Sequence, residues 1–162
     1  MSFSDCSYMR RALELAKKAR FNCPPNPAVG CVIVKDRRII GEGFTQKTGE
    51  AHAEVMALRD AASRGESVAG ATVYVTLEPC PMCAGAIVQA RIPKVYIGSM
   101  NPKAGCAGSV LNLLQIAGFN HQVKIVQGVC QEECSVMLSD FFKELREKKK
   151  RKKHAPEQVG EK

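Results

Sequence analysis

Two short clusters hold the residues of this chain that could do chemistry. His52-Ala53-Glu54 is the first, and Pro79-Cys80-Pro81-Met82-Cys83 follows, with Pro79 lying 25 residues after Glu54. One imidazole and two thiolates suit Zn²⁺, and three protein ligands leave a fourth tetrahedral position open for water. That open position separates a catalytic zinc from a structural one. Glu54 is then a carboxylate beside the metal, free to move protons. The chemistry such a set can perform is hydrolysis by activated water. A purely structural zinc would need a fourth protein ligand. His121 and His154 are the remaining histidines, and nothing in their spacing places them near the pair.

The two clusters need elements that bring them together. His52 and Glu54 are two apart and share no helical face, so they work only at the mouth of a helix, where the backbone is still turning in. The Ala-rich stretch from His52 to Arg64 reads as that helix, ended by Gly65. Cys80 and Cys83 are three apart on one side of a first helical turn, and Pro81 suits that turn. This second helix is expected to run to about Arg91. Helix N-termini carry partial positive charge, which favours thiolates and bound hydroxide.

The other elements follow from periodicity. Asp5 to Arg20 spaces Met9, Ala12, Leu13 and Ala16 on one helical face. The proline-rich Asn22–Pro27 segment breaks that helix. Val29–Val34 and Ile39–Phe44 read as strands joined by a hairpin turn at Lys35–Arg38. Thr72–Leu77, Lys94–Gly98 and Val123–Val126 are three further strands. A loop over Ser99–Gly108 leads to a short helix expected around Val110–Ile116. A last helix starts near Cys130 and continues into Lys148-Lys149-Lys150-Arg151-Lys152-Lys153. Strands alternating with helices predict an α/β protein. One domain is expected over residues 1–153, with a disordered tail over 154–162.

With 162 residues and 45% hydrophobic side chains, the chain fits one globular core. No run approaches a membrane span and the N-terminus lacks a signal peptide's apolar block, so a cytoplasmic protein with no membrane association is expected. Eight cysteines then read as reduced thiols, two of them metal ligands and most others small apolar filler. Cys130 and Cys134 lie one helical turn apart, but no further ligands are near enough to make a second metal site. The net charge is +8, and residues 143–162 alone hold nine Lys/Arg against four Glu. The basic run is either a solvated helix end or a phosphate-attracting surface.

The pattern H-x-E … P-C-x-x-C, with the segments VTLEPCPMCAGAIVQARIP, NPKAGCAGSVLNLLQ, FNHQV and LSDFFKELR, resembles the cytidine-deaminase superfamily, and within it the bacterial tRNA adenosine deaminases. The earlier stretches PPNPAVGCVIVKD and GEGFTQKTGE are more similar to the riboflavin-pathway deaminases. The resemblance implies a three-layer α/β/α fold around a five-stranded mixed sheet, one zinc per subunit, and a homodimer. It implies hydrolytic conversion of adenosine to inosine at the tRNA wobble position; single-stranded DNA is a second candidate substrate, for the reason given at Asn101 below. The alternative is a small-molecule deaminase of the riboflavin-pathway pyrimidine, guanine or cytosine type. Two absences weigh against the riboflavin type: its longer, His-containing segment between the zinc cysteines, and its fused reductase domain.

The same resemblance assigns roles residue by residue. Asn26 and Val29 would border the base. Lys103, Asn120, Phe142 and Arg146 would contact flipped-out nucleotides of an anticodon stem-loop or other single-stranded nucleic acid, where an aromatic ring and a guanidinium suit unstacked bases. Phe142 could equally pack the last helix, and Asn120 could cap a turn. Thr45 stands where the tRNA enzymes have an Asn that hydrogen-bonds the base. Asn101 stands where they often have Asp near the substrate sugar, and the lost negative charge would relax the preference for ribose. A nucleic-acid-binding module that keeps zinc for stability is the non-enzyme reading, and Glu54, which such a module would not need, argues against it.

Overall fold

The computed structural model describes residues 2–155. Four helices and five strands follow in the order α1 (Phe3–Ala19), β1 (Gly30–Lys35), β2 (Arg38–Phe44), α2 (Ala53–Ser63), β3 (Thr72–Leu77), α3 (Pro81–Gln89), β4 (Lys94–Ser99), β5 (Lys124–Gln127) and α4 (Gln131–His154). The strands form one sheet in the order β2-β1-β3-β4-β5. β1 pairs antiparallel with both β2 and β3, whereas β3-β4 and β4-β5 are parallel. The sheet is therefore mixed, as the resemblance implied, with an antiparallel half and a parallel half meeting at β3.

Alternation along the strands builds two cores. Cys31, Ile33, Val73, Val75, Val95 and Ile97 face α2 and α3, where they pack with Ala53, Ala57, Ala84, Ile87 and Val88. Val32, Val34, Tyr74 and Tyr96 face the other way and pack with Met9, Ala12 and Leu13 of α1 and Cys134 of α4. The sheet is thus sandwiched between helix pairs, giving the three-layer α/β/α arrangement. Ser2 and Asp5 close the start of α1 as a reciprocal capping box. Asp36 and Arg37, both at positive φ, form the two-residue hairpin turn expected at Lys35–Arg38.

One expected element does not form. Val110–Ile116 is a series of turns closed by an isolated bridge between Ala107 and Asn112, not a helix. Its backbone donors are drawn to partners outside helical spacing: Val110 and Leu111 bond the Gly105 carbonyl and Leu113 the Cys106 carbonyl, while just before it Ala107 and Ser109 bond Glu78. The last helix continues through the basic run as expected, ending at His154. Of the expected disordered tail, His154 is helical, and residues 156–162 lie outside the described residues. No helix among the described residues is long and apolar enough to cross a membrane.

Candidate zinc-dependent active site

Both chemical clusters sit where the sequence places them. His52 is the N-cap of α2 and Cys80 the N-cap of α3, and neither side chain caps its own helix, which leaves both free to face each other. Pro81 occupies the first turn of α3. The Nδ1 atom of His52 lies 3.5 Å from the Cys80 sulfur and 3.6 Å from the Cys83 sulfur. A tetrahedral zinc at ~2.3 Å from sulfur and ~2.0 Å from imidazole nitrogen sets an N···S edge of about 3.5 Å. The three donors therefore fit this ion. Among the described residues, no other His, Cys, Asp or Glu cluster could hold a metal. His121 is turned to the Ile92 carbonyl, and Cys130 to the Cys6 carbonyl.

Charge is arranged to match. The Cys80 thiol is drawn down to about 5 by its hydrogen bond with Cys83 and by His52, against the cost of burial. The Cys83 thiol is pushed up by the same sulfur partner and by burial. The pair thus shares one proton until a cation displaces it. Burial raises the Glu54 carboxyl above the ordinary carboxylate range, which suits a group that must both take and give protons.

The backbone holds α2 tightly against the sheet. A Cβ on Gly43 would lie 2.4 Å from the Ala53 carbonyl oxygen and 2.5 Å from the Ala57 nitrogen. Only a residue without a side chain lets β2 approach the first turn of α2 this closely, and that turn carries Glu54 beside the His52 cap.

A cavity of ≈ 170 Å³ opens on the zinc residues. Asn26, Pro27, Val29, Thr45, His52, Glu54, Glu78, Cys80 and Asn101 are among its walls. This is well under the volume of a drug-sized pocket, so a single ring system is the natural occupant. A wider cleft of ≈ 800 Å³ adjoins it, sharing Pro27, Leu77, Asn101 and Ala104, and is flanked by Lys103, Phe142 and Arg146. Asn26, Val29, Thr45, Asn101, Lys103, Phe142 and Arg146 are therefore brought together. Asn120 is not: its side chain accepts a hydrogen bond from Arg91, beyond the C-terminal end of α3.

Two of these residues have structural duties. The Thr45 hydroxyl accepts from the Val29 amide at 3.1 Å and donates to the Val29 carbonyl at 3.4 Å, pinning one cavity wall. The Asn101 side-chain oxygen accepts from the Lys103 and Ala104 amides, both at 3.3 Å, and closes a turn. Phe142 packs edge-on against Phe141 while lining the cleft, so it serves both readings.

Sequence reasoning missed Glu78. It is 2% exposed and accepts from the Asn101, Ala107 and Ser109 amides and from the Ser109 hydroxyl. The one available signal was a carboxylate in an otherwise apolar strand end, directly before Pro79.

Residues 3–99 match the family described as the cytidine and deoxycytidylate deaminase zinc-binding region. The chain belongs to this deaminase family. Members hydrolyse a C–N bond with zinc, and here His52, Cys80 and Cys83 are positioned to bind such an ion. The deaminase is 46% identical over 149 residues to a tRNA-specific adenosine deaminase of Bacillus subtilis, covering 88% of this chain and 91% of that one. It is 45% identical over 145 residues to the riboflavin biosynthesis protein RibD of Escherichia coli, covering 86% of this chain but only 38% of that one. The deaminase therefore spans little more than a third of the riboflavin relative. A solved structure from work on A-to-I editing by tRNA:A34 deaminases at the wobble position superposes with a TM-score of 0.71 at 32% identity, over 82% of this chain and 99% of that one. Both halves of the mixed resemblance are thus present among the relatives.

Proposed function

We propose that this deaminase converts adenosine to inosine at the wobble position of tRNA, in the cytoplasm, with residues 1–153 acting as one catalytic unit. The observation that carries this reading is the continuity of the two clefts. A base-sized cavity at Glu54 opens into a wider groove flanked by Lys103, Phe142 and Arg146. A free base needs only the first. A nucleotide within a strand needs both, with its neighbours stacked on an aromatic ring and their phosphates against cations. The near-complete coverage of the Bacillus subtilis relative supports the same choice.

Bound at His52, Cys80 and Cys83, zinc supplies a Lewis acid that makes water a nucleophile at neutral pH. Glu54 takes the proton that water gives up and returns protons to a ring nitrogen and to the departing amine, so that ammonia leaves. The burial of Glu54 keeps bulk water from competing for those protons. Asn26 and Val29, which line the same cavity as Glu54, border the base. Thr45 acts through Val29, by fixing that wall.

The active form is a homodimer. Ala84, Ile87 and Val88 are spent in the core, and Met82, in the first turn of α3 between the two zinc cysteines, is an exposed apolar side chain offered to a second copy. Sedimentation of the wild type against Met82→Lys checks this: the wild type should run as a dimer and the variant as a monomer.

The decisive experiment offers the purified protein a tRNA hairpin with a wobble adenosine and, separately, free purine and pyrimidine compounds, including a ribosylated pyrimidine phosphate. Inosine in the hairpin is the expected product. Ammonia released only from the free compounds would overturn the assignment.

A further inference from the structure

The first and last helices bring together two thiols that the hydrolytic site does not use. Cys6 lies near the start of α1, and Cys130 is the N-cap of α4. The Cys130 side chain does not cap its own helix. It turns to α1 instead, where its sulfur lies 3.8 Å from the Cys6 carbonyl oxygen and beside the Cys6 thiol. The two residues are 124 positions apart in the chain, and both are only partly buried.

Apolar filling does not account for this pair. Cys130 adopts the left-handed conformation, φ 51° and ψ 40°, which glycine takes without strain and a residue with a Cβ seldom does. The backbone on either side is fixed: the Val129 amide donates to the Ile97 carbonyl, and the Cys134 amide to the Cys130 carbonyl. The sulfur is thus aimed at Cys6 by a rigid frame. Charge is arranged around it as well. Arg10, one turn beyond Cys6, lies within electrostatic reach of both sulfurs and is held there by Glu133 of α4. Burial and the neighbouring Cys6 push the Cys130 thiol up to about 11, with Glu133 acting in the same direction. Cys130 is therefore the member of the pair that keeps its proton. Cys6, close to the positive end of α1 and to the Arg10 guanidinium, is the member suited to attack.

We propose that Cys6 and Cys130 form an oxidative modification site, closing to an intramolecular disulfide when the protein meets a peroxide. The Cys6 thiolate attacks one peroxide oxygen, the O–O bond breaks, and Cys6 becomes a sulfenic acid as the first water leaves. The Cys130 sulfur then attacks the Cys6 sulfur. The S–S bond forms, the S–O bond breaks, and the departing hydroxyl takes the Cys130 proton as a second water. Two thiols lose two electrons, and one peroxide is reduced to two waters. In a reducing compartment such a bond is transient, and thiols restore the open pair. The cross-link ties the start of α4 to α1. The same helix carries Phe142 and Arg146 to the substrate cleft, so the bond anchors an element that the cleft depends on.

The test exposes zinc-loaded wild type to hydrogen peroxide, alkylates the remaining thiols and maps the peptides by mass spectrometry without reduction. The Cys6 and Cys130 peptides should be joined within one chain, two hydrogens lighter than their sum. The melting temperature should rise by roughly 5–15 °C, the shift expected when a disulfide closes a long loop in a chain of this size. Dithiothreitol should reverse both changes. Cys6→Ser and Cys130→Ser should each show neither the cross-link nor the rise. Should a serine variant fold poorly, the wild-type map still decides. Oxidation of other cysteines with Cys6 and Cys130 left reduced would overturn the proposal. So would a cross-link between two chains, a Cys6 sulfinic acid beside a reduced Cys130, or a cross-linked protein that melts no higher than the reduced one.

Discussion

Ser109 donates twice to the same carboxylate, through its amide to Glu78 Oε1 at 3.0 Å and through its hydroxyl to Glu78 Oε2 at 2.5 Å. With the Asn101 and Ala107 amides, these bonds fold the whole 101–109 loop around one buried side chain at the end of β3. Gly105 lies so close that a Cβ there would sit 2.1 Å from Glu78 Oε2. The loop that forms one wall of the zinc cavity is therefore held from below.

Glu78→Gln should loosen that wall. An amide presents an NH₂ to donors that now meet an oxygen, and each stranded buried donor costs about 1–3 kcal/mol. KM for substrate should rise more than kcat falls, with zinc content unchanged. The pH dependence follows from the carboxyl. Burial alone would raise it, but the hydrogen bonds from Ser109, Asn101 and Ala107 outweigh that and hold it below the ordinary carboxylate value. A group whose folded pKa is depressed stabilises the fold above its unfolded value, and that contribution is lost as pH falls through the lowered folded one. The melting-temperature gap between wild type and Glu78→Gln should be full at neutral pH and close in acid.

Glu54 and the ligands should separate cleanly. Glu54→Gln should retain zinc by elemental analysis and lose about 10²- to 10⁴-fold in kcat, the usual worth of a positioned acid–base group. His52→Ala should lose both zinc and turnover. Chelation of the wild type should lower its melting temperature and abolish activity, and added zinc should restore both. A Glu54→Gln protein that stays fully active would remove the catalytic reading.

Gly43→Ala adds one methyl group, at a site with no room for it. The nearest atoms are backbone of α2, so the helix must move. That shift is carried to the first turn, where Glu54 lies and His52 caps. The expected outcome is a loss of a few kcal/mol, ~1–3 as for other overpacked cores, with zinc bound more weakly. Denaturant melts and competition with a chromogenic chelator check the two effects.

Asn101→Asp should leave stability nearly unchanged, because an aspartate oxygen accepts the Lys103 and Ala104 amides as well as the asparagine oxygen does. It places a negative charge in the cleft that holds Lys103 and Arg146. Deamination of an adenine-containing DNA oligonucleotide should then fall relative to the RNA hairpin. A wild type that makes inosine in RNA and none in DNA, even at excess enzyme, refutes the relaxed sugar preference.

The zinc residues were legible because their chemistry demands particular side chains at particular spacings, and helix starts supply those spacings. The hairpin, the five strands and the four long helices were legible for a similar reason: alternation and helical periodicity are local. The loop after β4 was not. Val110, Leu111 and Leu114 suggest helical spacing, yet the backbone of 101–109 answers to Glu78, a residue 23 to 31 positions away. No local pattern encodes such a pairing. Thr45 was recognised as a departure from the tRNA enzymes, but its bonds to Val29, 16 residues back, depend on how β2 leaves the sheet. Asn120 carried a motif match, but the fold spends its side chain on Arg91.

The seam between antiparallel and parallel strands runs beside the proposed zinc ligands. On the antiparallel side the chain from Pro24 to Ala51 supplies Asn26, Pro27, Val29 and Thr45 to the cavity; on the parallel side α3 brings the two cysteines and the loop around Glu78 brings Asn101 and Ala104, and His52 stands where the two sides join. Exchanging the first stretch with that of a riboflavin-type relative should retune which ring is accepted while leaving the hydrolytic apparatus in working order.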